Sequence, residues 1–157
     1  MSQFVKETHQ IGGVSVTRVI EPFGATFAPD FLLPDWDASV LDEHRDWMIP
    51  EYYNEAEAQF IISIHTWVVR TKRQTILIDS CAGNHKHRPL FPRFDQLNLP
   101  FLDRLKDAGV SPEAVDYVLC THLHLDHVGW NTRLQDGRWV PTFPHARYVF
   151  SRAEYEH

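Results

Sequence analysis

Residues 121–127, Thr-His-Leu-His-Leu-Asp-His, crowd His122, His124, Asp126 and His127 into six positions. Neutral imidazole and carboxylate are ligands for zinc-like divalent ions, and a catalytic zinc takes about three protein ligands plus a water. The spacing adds to the composition. Val115 to Cys120 reads as a short buried strand. With the chain still extended through Thr121, alternation sets His122 and His124 on one side, where both rings reach one ion. A turn after Leu125 aims Asp126 and His127 elsewhere, towards a second ion. Leu123 and Leu125 fill the alternate positions and face the core, and Gly129 lets the backbone bend sharply behind the cluster. Solvated or core histidines are the plain alternative, which suits a lone histidine better than this grouping.

The chain that must position these donors has 157 residues, enough for one core. Its 21 acidic against 15 basic residues give a net charge of -6. That balance argues against a phosphate-backbone partner, so a small-molecule substrate is expected and no nucleic acid. Cys81 and Cys120 both adjoin apolar strand patterns and read as small buried residues, not as a disulfide framework. No window approaches transmembrane length, and Met1–Gln10 has no apolar run of signal-peptide type. No membrane partner and a cytoplasmic location follow as expectations.

Along the chain, residues 10–21 read as a hairpin turning at Gly12-Gly13. Residues 21–34, with three prolines and a glycine, read as loop, with Phe23, Phe27 and Phe31 pinning it to the core. Residues 37–48 read as a helix capped by Asp37 and ended by Pro50. Residues 60–69 are rich in Ile, Val and Trp and read as a strand buried on most of both faces. A turn and a second strand follow, ending at Asp79. As local structure Asp79 caps the next turn. Asn84-His85-Lys86-His87-Arg88 holds another His-x-His pair, but in a cationic loop that reads as solvated. Residues 98–108 form an amphipathic helix capped by Asn98 and stopped by Gly109, with Phe101, Leu102, Leu105 and Ala108 on one face. Asp136-Gly137 marks a second hairpin, residues 146–150 a strand, and Ser151-Arg152-Ala153-Glu154 a capping box. Trp130 suits the core or a pocket wall equally. Strand–helix–strand succession favours a mixed α/β layered fold.

The string His122-x-His124-x-Asp126-His127, followed by Val128-Gly129 and preceded by an apolar strand, resembles the HxHxDH signature of metallo-β-lactamase-fold hydrolases. The strand Thr75–Ser80 with its terminal Asp79 is similar to an earlier strand of that family, and residues 144–151 to the segment after the motif. The likeness covers the chain from about Phe60 onwards. The resemblance implies an α/β (α+β) fold in which His122 and His124 bind a first metal and Asp126 and His127 a second, two zinc (Zn) ions per complete site. It implies that Asp79 hydrogen-bonds a metal ligand and fixes its ring, without touching the metal. It further implies a catalytic role for Asp126, which would orient a hydroxide or carry a proton to the leaving group.

The surrounding pattern is most similar to the lactonase-like branch. A zinc-dependent hydrolase acting on a lactone or other small ester through a metal-bridging hydroxide is therefore expected. The alternatives are hydrolysis of a β-lactam, thioester or organophosphate, and a non-catalytic metal-binding fragment. Flavodiiron-type oxygen reductases carry Glu where this chain has His124, and imidazole there favours zinc. In the resembled family a second half adds a His, a bridging Asp and a further His, which neither His145 nor His157 matches. Residues 1–157 are accordingly expected to be an incomplete domain, the N-terminal half of a four-layer αββα sandwich. Such a half is expected to be inactive alone and to leave an apolar sheet face open, so that it aggregates or forms a homodimer.

Overall fold

The computed structural model describes residues 5–157, with side chains from residue 7 onwards. The start of Met1–Gln10, read as lacking a signal-peptide run, lies outside the described residues. In chain order the elements are β1 (Val5–Ile11), β2 (Val14–Phe27), α1 (Pro29–Leu32), α2 (Ser39–Glu43), α3 (Arg45–Met48), β3 (Tyr53–Asn54), β4 (Gln59–Arg70), β5 (Thr75–Ile78), α4 (Phe101–Asp107), β6 (Tyr117–Leu119), β7 (Thr132–Gln135), β8 (Arg138–Pro141), β9 (Arg147–Val149) and α5 (Arg152–Glu156). The strand order in the main sheet is β1-β2-β4-β5-β6-β9, with β3 also against β4; β7 and β8 form a separate hairpin. β4 and β5 are antiparallel, whereas β5, β6 and β9 are parallel. This is the mixed α/β architecture expected. No helix among the described residues is long and apolar enough to cross a membrane.

The chain forms two compact units. One, Pro22–Ser63, holds the short helices and an aromatic cluster in which Trp36 meets Phe60 edge-on at 5.2 Å and Tyr53 meets Phe60 at 5.9 Å. The other runs to Glu21 and resumes over Ile64–His157, and it carries the histidine motif. Its core gathers Val19, Val68, Leu77, Phe101, Leu105, Val110, Val115, Val118 and Phe143, all essentially inaccessible to solvent.

Parallel neighbours cannot be joined by a tight hairpin, and α4 supplies the crossover from β5 to β6. Its buried Phe101 and Leu105 each contribute about 1.5–3 kcal/mol by leaving water. The helix starts after Pro100, so Asn98 does not cap it. Asn84 braces that approach instead, exchanging 2.9 Å bonds with both backbone groups of Leu99. Gly109 ends the helix as expected: at φ +74 its N–H reaches Lys106 O, and Val110 N reaches Leu105 O.

Both two-residue hairpin turns form, between β1 and β2 and between β7 and β8. Other expectations need correction. β2 continues through the presumed loop as far as Phe27, because Gly24 at φ +149 takes an extended conformation open to glycine. Phe23 and Phe31 are exposed rather than pinned in the core; Phe31 stacks on Phe27 at 5.1 Å. The single helix over 37–48 is two short helices broken at His44. In β4 only Thr66 and Val68 are buried, so it is not a strand covered on both faces.

Candidate metal centre

The candidate site stands at the carboxyl ends of two adjacent parallel strands, where the backbone of an α/β sheet opens to ligands. Register pairs Ile78 of β5 with Leu119 of β6, so the two chains leave the sheet side by side. Asp79 N donates to Leu119 O at 2.8 Å. Asp79 adopts φ +58, which Asp tolerates better than most residues. Its Oδ1 accepts from Thr121 N at 2.7 Å, while its Oδ2 accepts from Thr121 Oγ1 and from His127 Nδ1, both at 2.8 Å.

These bonds decide tautomers. The one hydroxyl proton of Thr121 is committed to Asp79, so Thr121 Oγ1 can only accept from His122 Nδ1, 3.0 Å away. His127 Nδ1–H likewise donates to the Asp79 carboxylate. In their neutral form both rings therefore keep Nε2 as a lone-pair donor, the form that binds metal.

Of the residues singled out from sequence, the structure brings together His122, His124, Asp126, His127 and Asp79. The His122 and His124 ring centroids are 4.6 Å apart. His127 is nearer still, 3.9 Å from His122, and its Nε2 lies 3.5 Å from Asp126 Oδ2. This corrects the path expected for His127. β6 ends at Leu119, and His127 N closes a turn onto His124 O at 3.0 Å. The turn folds His127 back over His122 rather than aiming it elsewhere.

The donor set suits a zinc-type ion: three imidazoles, two of them with Nε2 freed by the hydrogen bonds at Nδ1, and a carboxylate. Among the described residues, however, no three His, Cys, Asp or Glu side chains already stand so as to hold one ion together. The match is one of donor chemistry, not of a preassembled ligand shell.

Several contacts that hold this site had no signal in the sequence. Backbone bonds zip the two loops: Ser80 N to His127 O at 2.7 Å, Gly129 N to Cys81 O at 2.7 Å and Trp130 N to Ser80 O at 2.9 Å. Gly129 matters for proximity, not for a bend, since a Cβ there would lie 1.7 Å from Ala82 O. Arg88 spans the same gap, donating to Ala82 O at 2.8 Å and Leu125 O at 3.1 Å. Glu154 does not complete its capping box. Ser151 Oγ caps Ala153 N, while Glu154 Oε2 accepts from Leu123 N at 3.0 Å, between two histidines.

Glu21, on β2, is 1% exposed. It accepts from Ala82 N, Gly83 N and Trp130 Nε1 at 2.8, 3.0 and 2.5 Å. Burial pushes its carboxyl up, opposed by those bonds and by the Arg88 charge. Trp130 is thus a core residue, stacked on Phe101 at 5.3 Å. Cys81 and Cys120 are buried free thiols, both raised above the ordinary cysteine range mainly by burial. His85 and His87 are exposed, and His87 Nδ1 lies 3.8 Å from Asp95 Oδ1. Between the two histidines Lys86 packs 3.7 Å from the Trp139 ring and donates to Thr132 Oγ1 at 2.6 Å. Burial, then the Arg88 charge, lowers Lys86 to about 8.

The profile of the metallo-beta-lactamase superfamily matches residues 62–156, well over half of the chain. The chain belongs to the metallo-beta-lactamase superfamily. Among relatives of this family member, N-acyl homoserine lactonase AttM of Rhizobium johnstonii is 41% identical over 56 residues, 36% of this chain and 18% of that protein. The crystal structure of the hydrolase AbOPH, in the beta lactamase superfamily, superposes with a TM-score of 0.69 at 28% identity, covering 95% of this chain and 45% of that one. AidC, a dizinc quorum-quenching lactonase, shares the fold with a TM-score of 0.73 at 19% identity, covering 99% and 48%. The chain spans about half the length of these solved structures. These relatives are lactonases and a hydrolase.

Proposed function

We propose that this metallo-beta-lactamase family member is, in its complete protein, a zinc-dependent hydrolase that opens a lactone or another small ester. The observation that carries the reading is the Asp79–Thr121 network, which leaves Nε2 of both His122 and His127 available beside His124 and Asp126. The AttM match supports a lactone as substrate class, with an N-acyl lactone as its first member. Bound zinc ions would lower the pKa of a water towards neutrality and polarise the ester carbonyl.

This chain's residues have distinct parts in the proposal. His122, His124 and His127 hold the ions. Asp126, beside His127, adds a carboxylate donor and carries a proton to the departing alkoxide. Asp79 keeps His127 in the tautomer and orientation that binding needs. The half-domain reading, and inactivity of the 157-residue chain alone, belong to the same proposal.

The test loads the complete protein with zinc, counts bound metal, and follows acid release from an N-acyl lactone and from a plain aliphatic ester. Zinc uptake with lactone opening that disappears in His122→Ala supports the proposal. Stoichiometric zinc with no turnover of either compound favours a metal-binding module instead. No zinc uptake defeats both.

A further inference from the structure

Glu21 is far in sequence from the motif, yet it holds both loops that build the site. Its Oε2 takes the Ala82 N–H and its Oε1 takes the N–H groups of Gly83 and of the Trp130 indole. Ala82 and Gly83 follow Asp79 by a few residues; Trp130 follows His127. The carboxylate therefore clasps the exit of β5 to the exit of β6. Just there Gly83 and Gly129 touch backbone to backbone. Arg104 of α4 braces the clasp from the other side, donating to the carbonyls of Ile20, at 3.0 Å, and of Glu21. A buried carboxylate costs several kcal/mol unless its lone pairs are filled, and here three N–H donors fill them. A link between two loops is a costly place for a buried charge unless the spacing of those loops matters.

We infer that Glu21 is a positioning residue for the metal centre: by clasping Ala82–Gly83 to Trp130 it sets the distance between Asp79 and His127, and hence the orientation of the His127 ring. The inference rests on the metal reading of His127 proposed above, but the ring orientation is measurable without metal.

Glu21→Gln is isosteric. Its amide nitrogen must face either the Ala82 N–H or the pair from Gly83 and Trp130, so a donor meets a donor in both orientations. Trp130→Phe removes one bond and keeps an aromatic ring, and it carries the test if Glu21→Gln does not fold. The first readout is the imidazole nitrogen NMR spectrum of the metal-free full chain. The His127 Nδ1–H signal shifts or broadens in either variant, while exposed His87 stays unmoved as internal control. The second is zinc affinity by competition with a chromophoric chelator. Losing a direct partner of a ligand costs about 10–100-fold. One residue further out, about a threefold to tenfold loss is expected. Variants that lose only stability, with the His127 signal and the zinc affinity of the folded protein unchanged, overturn the inference. If the wild-type protein takes up no zinc, the proposed function fails, and the His127 signal alone decides the role of Glu21.

Discussion

Replacing Gly129 by alanine probes the contact on which the site's loop geometry depends. An added Cβ would lie 1.7 Å from Ala82 O, 1.9 Å from Ala82 C and 2.5 Å from Gly83 N. All three are backbone atoms, so no side chain can swing aside. An ordinary contact of about 3.5 Å is reached only if the loops part by more than an ångström. That separation breaks the Gly129 N to Cys81 O bond and strains its neighbours from Ser80 to His127 and from Trp130 to Ser80. Overpacking costs about 1–3 kcal/mol, and each lost bond a further 0.5–1.5 kcal/mol or so. Gly129→Ala should therefore destabilise the metal-free protein by about 3–5 kcal/mol, a large part of the roughly 5–15 kcal/mol that holds a domain together. Urea titration followed by circular dichroism measures this. Gly12→Ala is the control: nothing lies within 4 Å of its Cβ and only φ +59 opposes it, at about 1–2 kcal/mol. A Gly129→Ala midpoint no lower than that of Gly12→Ala would refute the close-approach argument.

Asp79→Asn must set its amide nitrogen against the Thr121 N–H or against the hydroxyl and imidazole donors. Zinc affinity should fall about 10–100-fold in chelator competition, and an unchanged value would remove Asp79 from its role. Lys86 titrates at about 8 in the folded protein and near 10.4 unfolded. Across that window the unfolded chain holds more protons, so wild-type stability should rise with pH relative to Lys86→Met. Melting temperatures of the pair measured at pH 7, 8.5 and 10 test the sign; a parallel course shows that the folded environment does not disfavour the ammonium. Phe101→Ala empties the place where α4 meets Trp130 and should cost about 3–5 kcal/mol in urea titration. A loss below about 1 kcal/mol would mean that α4 does not anchor this core.

The gathering of donors was legible because the signature is short: four ligand-type residues within six positions cannot lie far apart however the chain turns. Local punctuation was legible for a similar reason. Gly12, Asp136-Gly137 and Gly109 act through φ values that few other residues adopt, so they mark turns and a helix end without help from the rest of the molecule. Periodicity over α4 named Phe101 and Leu105, which are buried, and Leu102 and Ala108, which pack partly against the core, but it missed the buried Arg104. Where backbone freedom and packing compete, the sequence was a poorer guide: β2 runs straight through Pro22 and Gly24, and the helix over 37–48 breaks at His44.

What tertiary structure alone decided is how the donors are held. A turn after Leu125 was expected to carry His127 away from His122, but the turn that forms, closed by His124 O, laid the rings 3.9 Å apart. Glu154 announced a capping box and instead serves Leu123 N from α5. Glu21 stands in an alternating strand like any half-buried polar residue, and nothing near it in sequence names Ala82, Gly83 or Trp130 as its partners. Ligand types are a property of side chains and can be read one by one. Which hydrogen-bond partner an imidazole or a buried carboxylate meets depends on segments that approach only when β5, β6 and β2 pack around a common core, and that choice fixes the tautomers and loop spacing on which metal binding would depend.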